Sequence, residues 1–156
     1  MAFSAEEFGR DMRLLGNLEF QNDRDRGSDL FVTERPQTGQ IDLEALVGTD
    51  NLKQALLLRF LTYAGELAVL GHPDYGSRLS ELIGELNSET NRNLAKMYVL
   101  QALAGEPRVN QVLNVTVTQN PAHRDEMDIS VSLLAIDSDT PLNFVFPFFL
   151  QGGSPK

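Results

Sequence analysis

The sequence predicts an α+β protein, with helices packed on a small antiparallel sheet at the C-terminal end. Three observations carry that class. Apolar residues recur at helical spacing through two runs, 49–64 and 88–103. They then alternate with polar residues through three runs between Val109 and Leu150, the pattern of strands with one buried face. Between the two regimes stands Ala104-Gly105-Glu106-Pro107-Arg108-Val109. Here Gly105 can take the left-handed conformation that closes a helix, and Pro107 cannot continue one.

Taken in order, Ser4-Ala5-Glu6-Glu7 has the form of a capping box, and Phe8, Met12 and Leu15 fall on one helical face, which predicts a short helix from Ala5 to Leu15. Phe20 to Gly27 is polar and predicted as loop. Asp29 to Thr33 is strand-like and is broken by Arg35-Pro36-Gln37-Thr38-Gly39. Ile41, Leu43, Leu46 and Val47 form a weakly patterned apolar segment. A stronger helix follows, capped by Thr49 or Asp50, with Leu52, Leu56, Phe60 and Ala64 on one stripe and Gly65 as its stop. Leu67 to Leu70 fits either a continued helix or a short extended piece. His72-Pro73-Asp74-Tyr75-Gly76-Ser77 is a turn whose serine can cap a short helix from Arg78 to Leu86.

Ser88 caps the next helix, in which Leu94, Ala95, Met97, Tyr98, Val99, Ala102 and Leu103 are apolar nearly all round. Such a helix is expected to be buried and central. In the first strand Val109, Leu113, Val115 and Val117 share one face. In the second, after a turn at Asn120–Asp125, Met127, Ile129, Val131, Leu133 and Ala135 do so. A third strand carries Leu142, Phe144, Phe146, Phe148 and Leu150. Its Pro147 lacks an N–H and suits a sheet edge, where an apolar strand invites pairing with another chain. Gln151 to Lys156 is a loose tail.

Composition narrows the function. The chain has 156 residues, enough for one domain with a real core and an appendage, and 42% of them are apolar. It has no cysteine, so disulfides and thiolate metal sites are excluded and a reducing compartment is expected. No run is long and apolar enough to span a bilayer, and the N-terminal residues lack the form of a signal peptide. Net charge is −9, which argues against binding a nucleic-acid backbone. Residues 1–50 hold 11 acids against 5 bases, so the front third is the acidic part.

Searches for catalytic patterns find no Gly-rich phosphate loop, no His-Glu-x-x-His and no nucleophile elbow. The two histidines, His72 and His123, sit in separate turns, and neither cofactor nor metal is expected. Glu66, Asp74, Glu81, Glu85 and Glu89 lie near one another in sequence, but a glycoside hydrolase needs a cleft and one acid with a raised pKa. Glu106 and Arg108 remain, opposite charges either side of a proline. In an extended Glu-Pro-Arg they point to one side, so they either pair with each other or are offered together to a partner.

Four stretches read together resemble a known family. They are Gly48-Thr49-Asp50-Asn51-Leu52-Lys53-Gln54-Ala55, Leu61-Thr62-x-x-Gly65-Glu66, His72-Pro73-Asp74-Tyr75-Gly76-Ser77-x-Leu79 and Glu106-Pro107-Arg108-Val109. The ordered set is similar to the small baseplate wedge protein of contractile phage tails, with relatives in type VI secretion baseplates and extracellular contractile injection systems. Leu67–Leu70 departs from the polar or arginine-bearing sequence usual there. The resemblance implies a wedge domain at 48–150, an acidic extension at 1–47 and a tail at 151–156. It implies a structural baseplate component, not an enzyme, whose sheet is like the conserved domain of the sheath protein. By the same resemblance Glu106, Pro107 and Arg108 would dock on the larger wedge subunits, and Leu142, Phe144, Phe146 and Phe148 would serve strand pairing with the sheath protein. Tube or spike hub proteins, within a large six-fold assembly, complete the implied partner set, and the implied location is a virion tail or cytoplasmic injection-particle baseplate. Some members carry the label lysozyme, so a peptidoglycan hydrolase is the alternative.

Overall fold

The computed structural model describes residues 8–16 and 30–151. The chain divides into two compact units, Met1–Gln54 and Ala55–Lys156. Residues 5–7 of the expected first helix, the loop expected at 20–27 and residues 152–156 of the tail lie outside the described residues.

Among the described residues of the first unit before residue 48, the regular backbone is extended. Strand β1 (Arg10–Met12) pairs antiparallel with β4 (Ala45–Val47), and β2 (Val32–Glu34) pairs antiparallel with β3 (Ile41–Leu43). The turn expected at residues 35–39 closes the β2–β3 hairpin, with Arg35 and Asp42 ion-paired across it. The helix expected to run to Leu15 is therefore a strand over Arg10–Met12. Gly9 enters it at φ +73°, a left-handed value that a helix interior does not contain. The amide of Gln54 also takes the place of a neighbouring strand. Its Oε1 accepts from the Leu14 and Leu15 N–H groups at 2.8 and 3.2 Å, and its Nε2 donates to the Met12 carbonyl at 2.8 Å. Three apolar residues at helical spacing did not outweigh that pairing, because so short a helix is marginal on its own.

Helix α1 (Gly48–Leu61) buries Leu52, Leu56, Leu57 and Phe60, as its stripe requires. It stops one turn before Gly65, and Ala64 is exposed. The cause is a competing partner: Ser77 N–H donates to the Thr62 carbonyl at 2.9 Å and Ala64 N–H to the Ser77 carbonyl at 3.0 Å. Gly76 lies where these backbones meet, so close that a Cβ would stand 2.6 Å from the Tyr63 carbonyl oxygen. The segment between is a 3₁₀ turn at Ala68–Leu70, which leaves Val69 and Leu70 exposed. The helix expected over residues 78–86 is also only a 3₁₀ turn, Leu79–Leu82. Gly84 ends it at φ +92° and donates its N–H to the Leu150 carbonyl at 2.6 Å.

Helix α2 (Glu89–Ala104) starts where expected, with the Ser88 hydroxyl accepting from the Asn91 N–H. It packs on the sheet and on the 79–82 turn, burying Ala95, Tyr98, Val99, Ala102 and Leu103. It is not buried all round. Met97 and Leu100, on the face turned from the sheet, are 41% and 38% exposed.

The sheet has the order β5-β6-β7, all antiparallel, from β5 (Val109–Gln119), β6 (Glu126–Ala135) and β7 (Leu142–Phe149). Its inward rows run across the three strands as Val115–Val131–Phe144, all buried, and Val117–Ile129–Phe146, in which Val117 is half-buried. One inward position differs from the alternation. A bulge between Val112 and Asn114 makes Leu113 the extra residue, so Val112 stands opposite Leu133 and Leu113 is 44% exposed. Phe60 of α1 meets the sheet's aromatic row, with its ring 5.6 Å from Phe146 and 6.4 Å from Phe144.

Candidate protein-docking site

The turn from α2 into β5 is pinned on both sides. Glu106 N–H donates to the Leu103 carbonyl and Val109 N–H to the Glu106 carbonyl, both at 3.1 Å, while Ile136 N–H donates to the Arg108 carbonyl at 2.9 Å. Gly105 sits in this turn at φ −83°, a right-handed value, so the left-handed closure available to it is not used. A Cβ there would stand 3.1 Å from Nη1 of Arg59, and what the glycine provides is room for that guanidinium.

Glu106 is only 6% exposed. Its Oε1 accepts from Arg108 Nε at 2.6 Å, and its Oε2 accepts from Arg59 Nη2 at 3.3 Å. The sequence left open whether Glu106 and Arg108 pair or are offered together; in the structure they pair. Pro107 is exposed, and the Arg108 side chain is 28% exposed. Burial alone would raise the Glu106 carboxyl, but the hydrogen bond and charge of Arg108, with Arg59 behind them, hold it below the usual carboxylate range.

Arg59 is the member that sequence reasoning missed. It lies on α1 among Leu56, Leu57 and Phe60, with its side chain 8% exposed and its guanidinium carbon 4.5 Å from the centre of the Tyr75 ring. A cation inside an apolar stripe was the available signal, since a buried arginine requires a partner. Its Nε has no hydrogen-bond partner among the described residues, a deficit costing about 1–3 kcal/mol. Burial raises the Tyr75 phenol above its ordinary value, against the opposing charge of Arg59.

The second expected surface is the strand carrying Leu142, Phe144, Phe146 and Phe148. β7 is an edge of the sheet among the described residues, as its proline suggested. Phe144, Phe146 and Phe148 are buried and Leu142 half-buried, so these side chains belong to the fold's own core. What β7 turns outward is its backbone edge and the 52% exposed Val145.

The five carboxylates considered for hydrolysis, Glu66, Asp74, Glu81, Glu85 and Glu89, are all exposed. Glu81 is held below its ordinary range by its bond to Arg78. Glu126, at the foot of β6, is raised by burial and by the charge of Asp128 beside it; both accept from the Asn120 amide. It is 6% exposed. No group of histidines and carboxylates able to hold a metal occurs among the described residues. Nor is any helix among them long and apolar enough to cross a membrane.

A family model for the contractile injection system sheath initiator matches residues 20–137. No curated protein sequence matches the chain. Among solved structures, a Geobacter sulfurreducens protein provisionally named a tail lysozyme is similar with a TM-score of 0.58 and 23% identity, over 68% of this chain and 94% of that one. At that identity the likeness speaks to the fold.

Proposed function

The chain belongs to the contractile injection system sheath initiator family, and from that footing we propose how it performs a structural role in the baseplate. The corner Glu106-Pro107-Arg108 docks on the larger wedge subunits, and the C-terminal sheet accepts or donates a strand to the first sheath ring. The observation that supports docking is the corner itself: a turn pinned at three backbone positions, carrying exposed Pro107 and an Arg108 aimed by a buried carboxylate. A baseplate element must hold while the sheath contracts, and a side chain aimed by a rigid turn forms its contact without a further ordering cost. Strand pairing draws on the edge position of β7, where main-chain hydrogen bonds give affinity and side-chain alternation gives register.

The test is Arg108→Ala in the full chain, co-expressed with the larger wedge subunits. The variant is expected to stay folded with a lowered Tm, since Arg59 still pairs with the buried Glu106 carboxylate, and to be absent from the purified wedge complex. Sheathed tails assembled at normal yield with this variant would refute the docking role.

The hydrolase alternative draws on the name of the Geobacter structure. A general acid must reach its substrate, and the one raised carboxyl identified above, Glu126, is enclosed. Clearing of peptidoglycan by the purified protein, lost in Glu126→Gln, would favour that alternative.

A further inference from the structure

We infer that Arg59 is a positioning residue of the docking corner: it never meets the partner, but through Glu106 it sets the direction in which Arg108 is presented. The inference rests on the docking role proposed for the corner. With 8% of its side chain exposed, Arg59 has no surface to offer a partner. Its effect passes through the carboxylate. Glu106 commits one oxygen to each arginine: Oε1 accepts from Arg108, through Nε at 2.6 Å and the backbone N–H at 3.3 Å, and Oε2 accepts from Arg59 Nη2 at 3.3 Å.

The terminal torsion of a glutamate is broad and roughly two-fold, so a carboxylate held at one oxygen alone can turn about it and carry its partner along. Holding the second oxygen fixes the carboxylate plane, and with it the line of the Arg108 Nε–H. Arg59 is itself located from two sides, by the Tyr75 ring at 4.5 Å and by the missing Cβ of Gly105. A lysine could supply the charge here but neither the stacking plane nor the fork. Removing one member of a buried ion pair is destabilising, and without Arg59 the enclosed Glu106 carboxylate would keep Arg108 as its charged partner. The arginine therefore does more than fill space.

The experiment compares Arg59→Met, Arg59→Lys, Tyr75→Leu and Arg108→Ala in the full-length chain. Three readouts are needed: titration against the co-expressed larger wedge subunits, thermal melting, and the NMR signal of the Arg108 Nε–H. Arg59→Met is expected to melt below the parent, stay folded at the titration temperature, and lose affinity by about tenfold or more. Its Arg108 signal should move toward the solvent-averaged position. Arg59→Lys should fall between it and the parent. Should Arg59→Met not fold, Tyr75→Leu carries the test, because it removes the stack and leaves both charges; a moved Arg108 signal with weakened binding supports the inference. Folded Arg59→Met, or Tyr75→Leu in its place, binding as the parent does while Arg108→Ala does not bind would overturn the positioning role alone. Normal binding by Arg108→Ala would overturn the docking role beneath it.

Discussion

Glu106 couples the corner to pH. Its folded pKa is held below the ordinary value by the two arginines, so the stability it contributes is present in full above the ordinary carboxylate range, about 4.3. That contribution is lost as pH falls through the lowered folded value. Glu106→Gln should therefore melt well below the parent at pH 7, and the gap should narrow as acid protonates the parent's carboxylate. Parallel melts between pH 7 and pH 3 check this, and a gap that stays constant would contradict it. Gly76 is a residue of another kind, fixed by space and not by charge. At φ +105°, with a Cβ position 2.6 Å from one backbone oxygen and 2.8 Å from another, it has no room for alanine. Gly76→Ala should cost at least about 2–3 kcal/mol, combining a strained backbone with displacement of the Thr62–Ser77 contact. The expected fall in Tm is about 5–10 °C.

Among the elements, β5 gives the sharpest test of register. If Leu113 is the bulged residue, Leu113→Asn should change stability by no more than about 0.5 kcal/mol, as surface substitutions do. Val115→Asn, at 2% exposure opposite Val131, should cost several times more, because it buries an amide in the aromatic face of the sheet. Urea titrations of the two variants decide the matter, and equal losses would place Leu113 back inside. The same strand shows what sequence could convey. Strict alternation located all three strands and their turns, because period 2 is a local property of a half-buried strand. A bulge has no such signature: Gln111-Val112-Leu113-Asn114 offers two adjacent apolar residues, and only pairing with β6 decides which one turns inward. The same limit applies to the ends of α1 and of the 79–82 turn, where partners distant in sequence, Ser77 and Leu150, take the backbone groups that would have prolonged the helix. At the corner, Glu106, Pro107 and Arg108 were legible because proline and glycine mark the turn in sequence. Arg59, separated from Glu106 by 47 positions, was not.

At the scale of an assembly, the strand exchange with the sheath proposed above requires an open sheet edge, and two are available, β5 and β7, among the described residues. β7 pairs with β6 along its whole length, and Pro147 stands within that ladder opposite Asp128. A proline is accommodated there when the side on which its N–H would lie faces away from the neighbouring strand. By the period of two, the Val145 N–H then faces the open edge as well, where a strand added from another chain would bond it. Val145→Pro therefore removes a donor from the open edge and leaves the β6–β7 ladder intact, and the valine side chain it replaces is 52% exposed. The variant is expected to fold, to enter baseplates through its unaltered corner, and to leave those baseplates bare of sheath. Electron microscopy of baseplates assembled with the variant separates the alternatives. Baseplates without sheath place strand exchange on β7. Full-length sheath on variant baseplates would assign it to β5, where Gln119→Pro, at an exposed position whose N–H faces the opposite open edge, becomes the blocking change. Loss of the protein from the baseplate altogether would mean that the corner and the sheet do not act separately, contrary to the division of labour proposed above.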